Sequence, residues 1–153
     1  MTRCFFATDL HGSPGRYRAL AAAVEQERPA AVFLGGDLLP SGWLVAREAE
    51  LGQDGFVTGF LCALLFKLRQ RLGEDYPRVL LILGNDDVAA TLPEVRQGEA
   101  DGLFEHLHLR CTTLAGRPVY GYACVPPTPF SLKDWERYDV SRYVDPGSFG
   151  PEE

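Results

Sequence analysis

Acidic, amide and imidazole side chains follow three short apolar segments of the chain, each at the point where a β-strand would end. Asp9 and His11 follow the first segment, Asp37 follows the second, and Asn85 and Asp86 follow the third. In an open α/β sheet, ligands bind beyond the carboxyl ends of the strands, so these side chains should share one edge. Carboxylates with an imidazole and an amide oxygen suit Mn²⁺, Fe²⁺, Zn²⁺ or Mg²⁺. The pattern predicts a divalent-metal site, and Asp37, on the middle strand, is the candidate to bridge two ions.

Each of these motifs also has an ordinary structural explanation. Asp9 can simply cap the helix that follows it. Gly36-Asp37 and Asn85-Asp86 are common turn dipeptides. The metal interpretation is preferred because all three motifs fall at the same predicted edge, beside glycines that let the backbone approach a ligand closely.

The elements that must position these residues have the composition of a buried parallel sheet. Helices are predicted from Pro14, after Ser13 as N-cap, to a stop at Pro29, and from about Gly55 to Leu72. Apolar residues fill nearly every strand position, as in a sheet covered on both faces. The order strand–helix–strand–helix–strand predicts right-handed crossovers and a doubly wound α/β core. The strands are predicted at Cys4–Ala7, Ala31–Leu34 and Val79–Leu83.

The pattern weakens after the third motif. Asp86–Gln97 predicts a short helix interrupted at Pro93, and two strands follow at Leu107–Leu114 and Arg117–Ala123. The dipeptide Ala115-Gly116 predicts the turn that joins those two strands. Residues 146–153 are rich in Gly, Pro and Glu, which predicts a flexible end.

Composition limits the classes of function. The chain has 153 residues with a net charge of −6, which fits one domain, or half of a larger one, and lacks the basic footprint of an obligate nucleic-acid binder. The longest apolar stretch, Phe56 to Phe66, is about half a membrane span. We therefore expect a cytoplasmic protein without a membrane partner.

The cysteines form no CxxC pair and predict buried free thiols in a reducing compartment; they are Cys4, Cys62, Cys111 and Cys124.

The ordered series Asp9-Leu10-His11, Gly36-Asp37 and Gly84-Asn85-Asp86 resembles the N-terminal half of the calcineurin-like metallophosphoesterases, whose motifs are DxH, GD and GN followed by His or Asp. The resemblance covers roughly residues 3–90. It implies an αββα sandwich, of which this chain holds the first sheet with its helices and part of the second. Residues 1–153 would then be the N-terminal portion of a metallophosphoesterase domain.

The same resemblance implies a role for each site residue. Asp9 and His11 would ligate a first metal ion, Asp37 would bridge two ions, and Asn85 would ligate the second. Asp86 stands where many relatives have a catalytic His, so it would be the catalytic residue or would orient water. The complete family site holds two divalent ions. Mn²⁺ is the preferred ion, and Fe, Zn or Mg are the alternatives. The implied reaction is hydrolysis of a phosphomonoester or phosphodiester, including nucleotides, by attack of a metal-bound hydroxide.

The chain departs from the family in its later histidine motifs. No Gly-His-x-His occurs, and the remaining histidines, His106 and His108, are predicted to be exposed or half-buried strand residues rather than ligands. This chain alone would therefore hold fewer metal ions, and it is either a fragment or a complete, degenerate member. The alternative function is a non-catalytic interaction module or inactive fragment on the same fold. An incomplete second sheet would leave an apolar face uncovered and favour homo-oligomers.

Other candidates are weaker. Arg16, Arg18 and Arg47 follow the first two motifs, and each is a candidate phosphate anchor or simply a solvated surface residue. A generic nucleotide-binding domain is disfavoured because neither G-x-G-x-x-G nor a P-loop occurs. No residue is nominated for binding the rest of the substrate.

Overall fold

The computed structural model describes residues 2–40, 53–127 and 134–138. A parallel sheet of four strands lies at its centre, and the strands follow in chain order: β1 (Cys4–Ala7), β2 (Ala31–Gly35), β3 (Arg78–Ile82) and β4 (Glu105–His106). An antiparallel hairpin, β5 (Cys111–Leu114) and β6 (Arg117–Tyr120), forms a second, small sheet. This arrangement confirms the predicted α/β class and is consistent with an α/β sandwich.

The three predicted parallel strands are present with small shifts of their ends. β1 has the predicted bounds, β2 extends one residue further, and β3 begins and ends one residue earlier. The register pairs Ala7 with Leu34 and Leu34 with Leu81. The carboxyl ends of β1, β2 and β3 therefore meet at one edge, as the sequence predicted.

The first crossover is the helix α1 (Pro14–Glu27), which begins and ends where the sequence predicted. Ser13 is the N-cap, although its side chain makes no capping hydrogen bond. Arg28 ends the helix in a left-handed conformation, with φ 47°, immediately before Pro29. Tyr17 and Val24 face the sheet and are buried.

The second crossover is less regular than predicted. Its helix runs through α2 (Gln53–Phe56), a π-helical segment (Val57–Cys62) and α3 (Ala63–Leu72). A π turn shifts the buried stripe relative to an α-helix. Gly73, with φ 56°, ends α3, and a short 3₁₀ turn (Gly73–Asp75) leads to β3.

The predicted doubly wound arrangement is wrong for the described residues. Right-handed crossovers between strands that follow in chain order all fall on the same face of a sheet. Side chains of α1 and α3 accordingly pack on Val32, Leu34 and Val79 of that face. A reversal of strand order, which would put helices on the other face, is absent from the described sheet.

The opposite face of the sheet is incompletely covered, which corrects the expectation of burial on both faces. Phe6 on β1 is 71% exposed, and Phe33 and Ile82 beside it are half-buried.

The expectation of buried thiols fails as well, although all four cysteines are free. Cys4 and Cys111 are exposed, and Cys62 and Cys124 are half-buried.

The region after β3 differs most from its prediction. Pro93 does not interrupt a helix but lies in the first turn of α4 (Leu92–Ala100), after a 3₁₀ turn (Ala89–Thr91), because proline fits a helix start. The predicted strand Leu107–Leu114 is broken, since Leu109 adopts φ 55°. Only its second half is β5, while the short strand β4 precedes it and pairs with β3. The hairpin turn at Ala115 and Gly116 is confirmed, with φ 48° and 75°.

None of the described helices is long and apolar enough to cross a membrane. Two predictions lie outside the described residues: Arg47 as a phosphate anchor, and residues 146–153 as a flexible end.

Candidate metal centre

Two of the loops at the carboxyl edge of the sheet are joined by backbone hydrogen bonds. The Asp9 N–H donates to the Gly36 carbonyl over 3.1 Å, and the His11 N–H donates to the Asp37 carbonyl over 2.8 Å. The Gly12 N–H continues the ladder to the Leu38 carbonyl over 2.8 Å. The loop after β1 is therefore held alongside the loop after β2, although neither segment is a strand.

This pairing brings three of the predicted ligands together. One possible ligand atom from each of Asp9, His11 and Asp37 lies within 4.8 Å of the other two. The His11 Nε2 atom is 3.8 Å from Asp9 Oδ1. Within residues 2–40, 53–127 and 134–138, no other group of three acidic, histidine or cysteine side chains has this geometry. The structure thus contains a possible metal-binding triad.

All three members of the triad have left-handed backbone conformations. The φ angles are 56° at Asp9, 46° at His11 and 53° at Asp37. Such conformations are uncommon outside glycine, cost free energy, and cluster at ligand and active sites. Three strained residues whose side chains converge are better explained by a site than by three unrelated turns.

Glycines make the close approach of the loops possible. A Cβ atom on Gly84 would collide with the backbone nitrogen and Oδ1 of Asp37. A Cβ atom on Gly36, which has φ 101°, would lie 2.8 Å from the Gly84 Cα atom. The sequence predicted glycines for close backbone approach, and here the partner they approach is the neighbouring loop.

The third predicted motif lies against the triad. The Asp86 N–H donates to Asp37 Oδ1 over 2.9 Å. Asp86 Oδ2 lies 3.3 Å from His11 Nδ1, and that buried nitrogen has no hydrogen bond of good geometry to any of the described residues. Asn85, between Gly84 and Asp86, is half-buried at the same edge. The motif therefore contributes to the same cluster as the first two.

Sequence reasoning missed Asp87, a buried carboxylate beneath the triad. Asp87 is 1% exposed and accepts hydrogen bonds from the N–H groups of Leu38, Leu39 and Gly84. Burial raises the pKa of Asp87, and the three N–H donors oppose that rise. Nothing in Asp86-Asp87 distinguishes the two carboxylates, because both follow the same turn.

The other two histidines are not members of the triad. His106 and His108 are half-buried near β4, as predicted, with ring centroids 6.4 Å apart. His108 Nδ1 accepts a hydrogen bond from the Ala123 N–H and its ring packs edge-on against Trp135. Burial lowers the pKa of both histidines.

The candidate arginines make different contacts. Arg16 donates from Nη1 to the backbone carbonyl of Asp9 over 2.6 Å, so it supports the first loop. Arg18 is exposed on α1.

The residues present fit one divalent ion. Asp9, His11 and Asp37 offer two carboxylates and one imidazole, a common ligand set for Mn²⁺, Fe²⁺ or Zn²⁺. The Asp9 side chain is 60% exposed and that of His11 is 28% exposed, so an ion and water can reach the cluster. A second ion would have only Asp37 and Asn85 as protein ligands among the predicted set.

Comparisons with known proteins show the fold and no family. No family model matches the chain, and no curated protein matches it. The crystal structure of TT1561 of Thermus thermophilus is similar over 80% of this chain and 49% of that one, with a TM-score of 0.58 and 16% identity. Another crystal structure is similar over 80% of this chain and 53% of its own, with a TM-score of 0.51 and 15% identity. The chain therefore spans about half the length of both structures.

Proposed function

We propose that this chain is a metal-dependent phosphoesterase of the calcineurin-like type, or the metal-binding half of one. The observation that carries the proposal is the convergence of Asp9, His11 and Asp37 within 4.8 Å at the carboxyl edge of a parallel sheet. The order of the motifs, DxH, GD and GND, is that of the family. The similarity to solved structures supports the fold alone.

The charge of the cluster explains why a metal ion is required. Asp9, Asp37 and Asp86 put three carboxylates around a single imidazole. Such a cluster repels a phosphate ester, while a bound divalent ion reverses the local charge. When bound, the ion supplies a Lewis acid that polarises a phosphoryl oxygen and lowers the pKa of water.

The side chains of this protein have distinct parts in that scheme. Asp9, His11 and Asp37 hold the ion, and Asp37 is the bridging candidate for a second. Asn85 offers an amide oxygen to that second ion. Asp86, which has 40% of its side chain exposed beside His11, is the proposed catalytic residue and would accept a hydrogen bond from water and orient it.

The test is hydrolysis by the purified chain, loaded with Mn²⁺, of an aryl phosphate, an aryl phosphodiester and a cyclic nucleotide. Asp37→Asn removes a charge from the cluster and should abolish both Mn²⁺ binding and turnover. Asp134→Asn is the matched control, because Asp134 is exposed and accepts only the Ala89 N–H, over 2.7 Å, among its described contacts. Mn²⁺ binding that survives Asp37→Asn unchanged would contradict the proposed site.

A second candidate, a non-catalytic interaction module, is favoured by the uncovered face of the sheet. Phe6 and Tyr120 are 71% and 75% exposed, and both line an apolar cavity of about 120 Å³ between β1–β3 and the hairpin. Aromatic side chains bury about 150–250 Å² each, so these two alone expose roughly 300 Å² of mainly apolar surface. The largest apolar patch of a protein is often functional, and we propose a second copy of this chain as the occupant of this one.

Sedimentation equilibrium distinguishes this candidate. The wild-type chain should form dimers that Phe6→Ser disrupts. Phe66→Ser, at a position 48% exposed on α3, is the matched control and should leave the dimer intact. A wild-type chain that stays monomeric at every concentration would refute an interface on this face.

A further inference from the structure

The carboxylate of Asp87 holds together two loops of the candidate metal centre. Asp87 Oδ1 accepts the Leu38 N–H over 2.9 Å and the Leu39 N–H over 2.7 Å, and Oδ2 also lies 3.1 Å from the Leu38 nitrogen. Oδ2 accepts the Gly84 N–H over 2.8 Å. Asp87 is 1% exposed, so water cannot replace any of these bonds without opening the core.

The donors to Asp87 are the neighbours of predicted ligands. Leu38 directly follows Asp37, and Gly84 directly precedes Asn85. The Asp37 loop is in turn paired with the His11 loop by the hydrogen bond between His11 N–H and the Asp37 carbonyl. One buried side chain therefore joins the Asp37 loop to the Asn85 loop from below, while the bond from the Asp86 N–H to Asp37 Oδ1 joins them at the surface.

We propose that Asp87 is the positioning residue of the metal centre. Its carboxylate sets the separation of Asp37 from Asn85 and thereby the affinity of the site for a divalent ion. This inference rests on the proposed metal-binding function and extends it. Among the described residues, the hydrogen bonds that Asp87 accepts come from backbone N–H groups, so it holds the metal ligands through the backbone of the two loops.

A carboxylate is the side chain that this arrangement requires. An ionised Asp is an acceptor at both oxygens, with about four lone-pair sites for the three N–H donors. In Asp87→Asn, the side-chain NH₂ group would face at least one of those backbone N–H groups. Both groups are donors, so they cannot form a hydrogen bond and would repel each other. One of the two loops must then move away from the other. Groups that orient metal ligands from outside typically change metal affinity by about 10- to 100-fold when they are mutated.

The backbone carbonyl of Asp87 provides an optical readout. The indole Nε1–H of Trp135 donates to it over 2.7 Å, and Trp135 is buried. The chain has two tryptophans, Trp43 and Trp135. A Trp43→Phe background leaves Trp135 as the single fluorophore, in direct contact with the proposed positioning residue.

The experiment measures Mn²⁺ affinity by calorimetry in wild type and Asp87→Asn, with Trp135 fluorescence recorded in the Trp43→Phe background of each. Asp87→Asn should weaken Mn²⁺ binding at least tenfold while the far-ultraviolet circular dichroism of the α/β fold is retained. Asp134→Asn should change the affinity less than twofold. Val95→Ala, a core change in α4 away from the loops, controls for loss of stability and should leave the Mn²⁺ affinity unchanged.

The outcomes separate this inference from the proposed function. If wild type binds Mn²⁺ and Asp87→Asn binds it within twofold, the positioning role is refuted and the metal site survives. If Val95→Ala weakens binding as much as Asp87→Asn, the effect is general destabilisation and the positioning role is again refuted. If wild type binds no Mn²⁺, Mg²⁺ or Zn²⁺, the proposed function itself fails.

Amide hydrogen exchange in the wild type provides a test that does not depend on the folding of a variant. Coupling between two equilibria is reciprocal. If the hydrogen bonds to Asp87 favour metal binding, then metal binding must in turn stabilise those hydrogen bonds. Saturating Mg²⁺ or Zn²⁺ should slow exchange of the Leu38, Leu39 and Gly84 amides more than that of amides in α4. Binding that leaves these three exchange rates unchanged would overturn the proposal even if Asp87→Asn fails to fold.

Discussion

Gly84→Ala is the substitution whose effect follows most directly from the geometry of the site. The new Cβ atom would overlap the backbone nitrogen and Oδ1 of Asp37 and would lie 2.9 Å from its Cγ atom. Ordinary carbon contacts are about 3.5–4.0 Å, so Asp37 must retreat by about 1 Å, in its backbone as well as its side chain. Gly84 does not have a positive φ, so the effect is steric rather than conformational.

The displacement should appear in two measurements. Overpacking of this kind typically costs about 1–3 kcal/mol, which urea unfolding will report as a loss of stability. A retreat of about 1 Å by a carboxylate ligand should also weaken Mn²⁺ binding by about 10- to 100-fold, equivalent to about 1.4–2.8 kcal/mol. Calorimetric titration measures this second effect independently of the first.

Gly15→Ala is the matched control for Gly84→Ala. A Cβ atom on Gly15 meets nothing closer than Ser13 Oγ at 3.9 Å, and the residue lies in the first turn of α1. The control should retain Mn²⁺ affinity and should gain up to about 1 kcal/mol of stability, because alanine favours a helix. The steric reasoning is wrong if Gly84→Ala binds Mn²⁺ as tightly as the control.

Three further predictions concern residues outside the triad. Burial lowers the pKa of His106, so the folded protein binds fewer protons at this residue than the unfolded chain does. Stability should therefore fall as the pH drops below about 6.5, and the urea midpoint should fall less for His106→Gln than for wild type. Equal pH slopes for both proteins would contradict this. Tyr17→Phe removes a buried hydrogen bond of 2.9 Å from the hydroxyl to the Leu38 carbonyl and should cost about 1 kcal/mol in urea unfolding; no loss would mean that the Gly12 N–H alone satisfies that carbonyl. Exposed Cys4 should react with Ellman's reagent faster than Cys62, whose pKa burial raises to about 11. Cys4→Ser should remove part of a fast phase that exposed Cys111 shares and Cys62→Ser part of the slow phase, and the opposite order would refute the burial argument.

Local sequence was sufficient to predict the elements that form the carboxyl edge. The segments at Cys4, Ala31 and Val79 are short and apolar, and the second and third lie between a proline and a glycine, a pattern typical of parallel strands. Polar residues that follow each segment must then meet at one edge, whatever the details of packing. This is why Asp9, His11 and Asp37 could be predicted to converge, and their atoms do lie within 4.8 Å.

The later part of the chain was predicted less well because its elements depend on distant partners. β4 has only two residues, Glu105 and His106, and exists because it pairs with Leu80 and Leu81 of β3. No periodicity can be recognised in two residues. The π-helical turn within the second crossover was not predicted either, although its segment contains glycine and β-branched residues that favour an α-helix weakly.

Local sequence specifies which kinds of side chain stand at the end of each strand, because strand ends and turns are local properties of the chain. How two neighbouring positions are used depends instead on the packing of distant segments. Asp86 and Asp87 are the same residue type, yet Asp86 faces His11 at the surface and Asp87 is buried beneath the loops. The difference arises because N–H donors from the β2 loop converge beneath the cluster and stabilise a carboxylate only at position 87. Tertiary structure likewise left Phe6 exposed on an apolar strand, since covering a face requires a partner that local sequence does not specify.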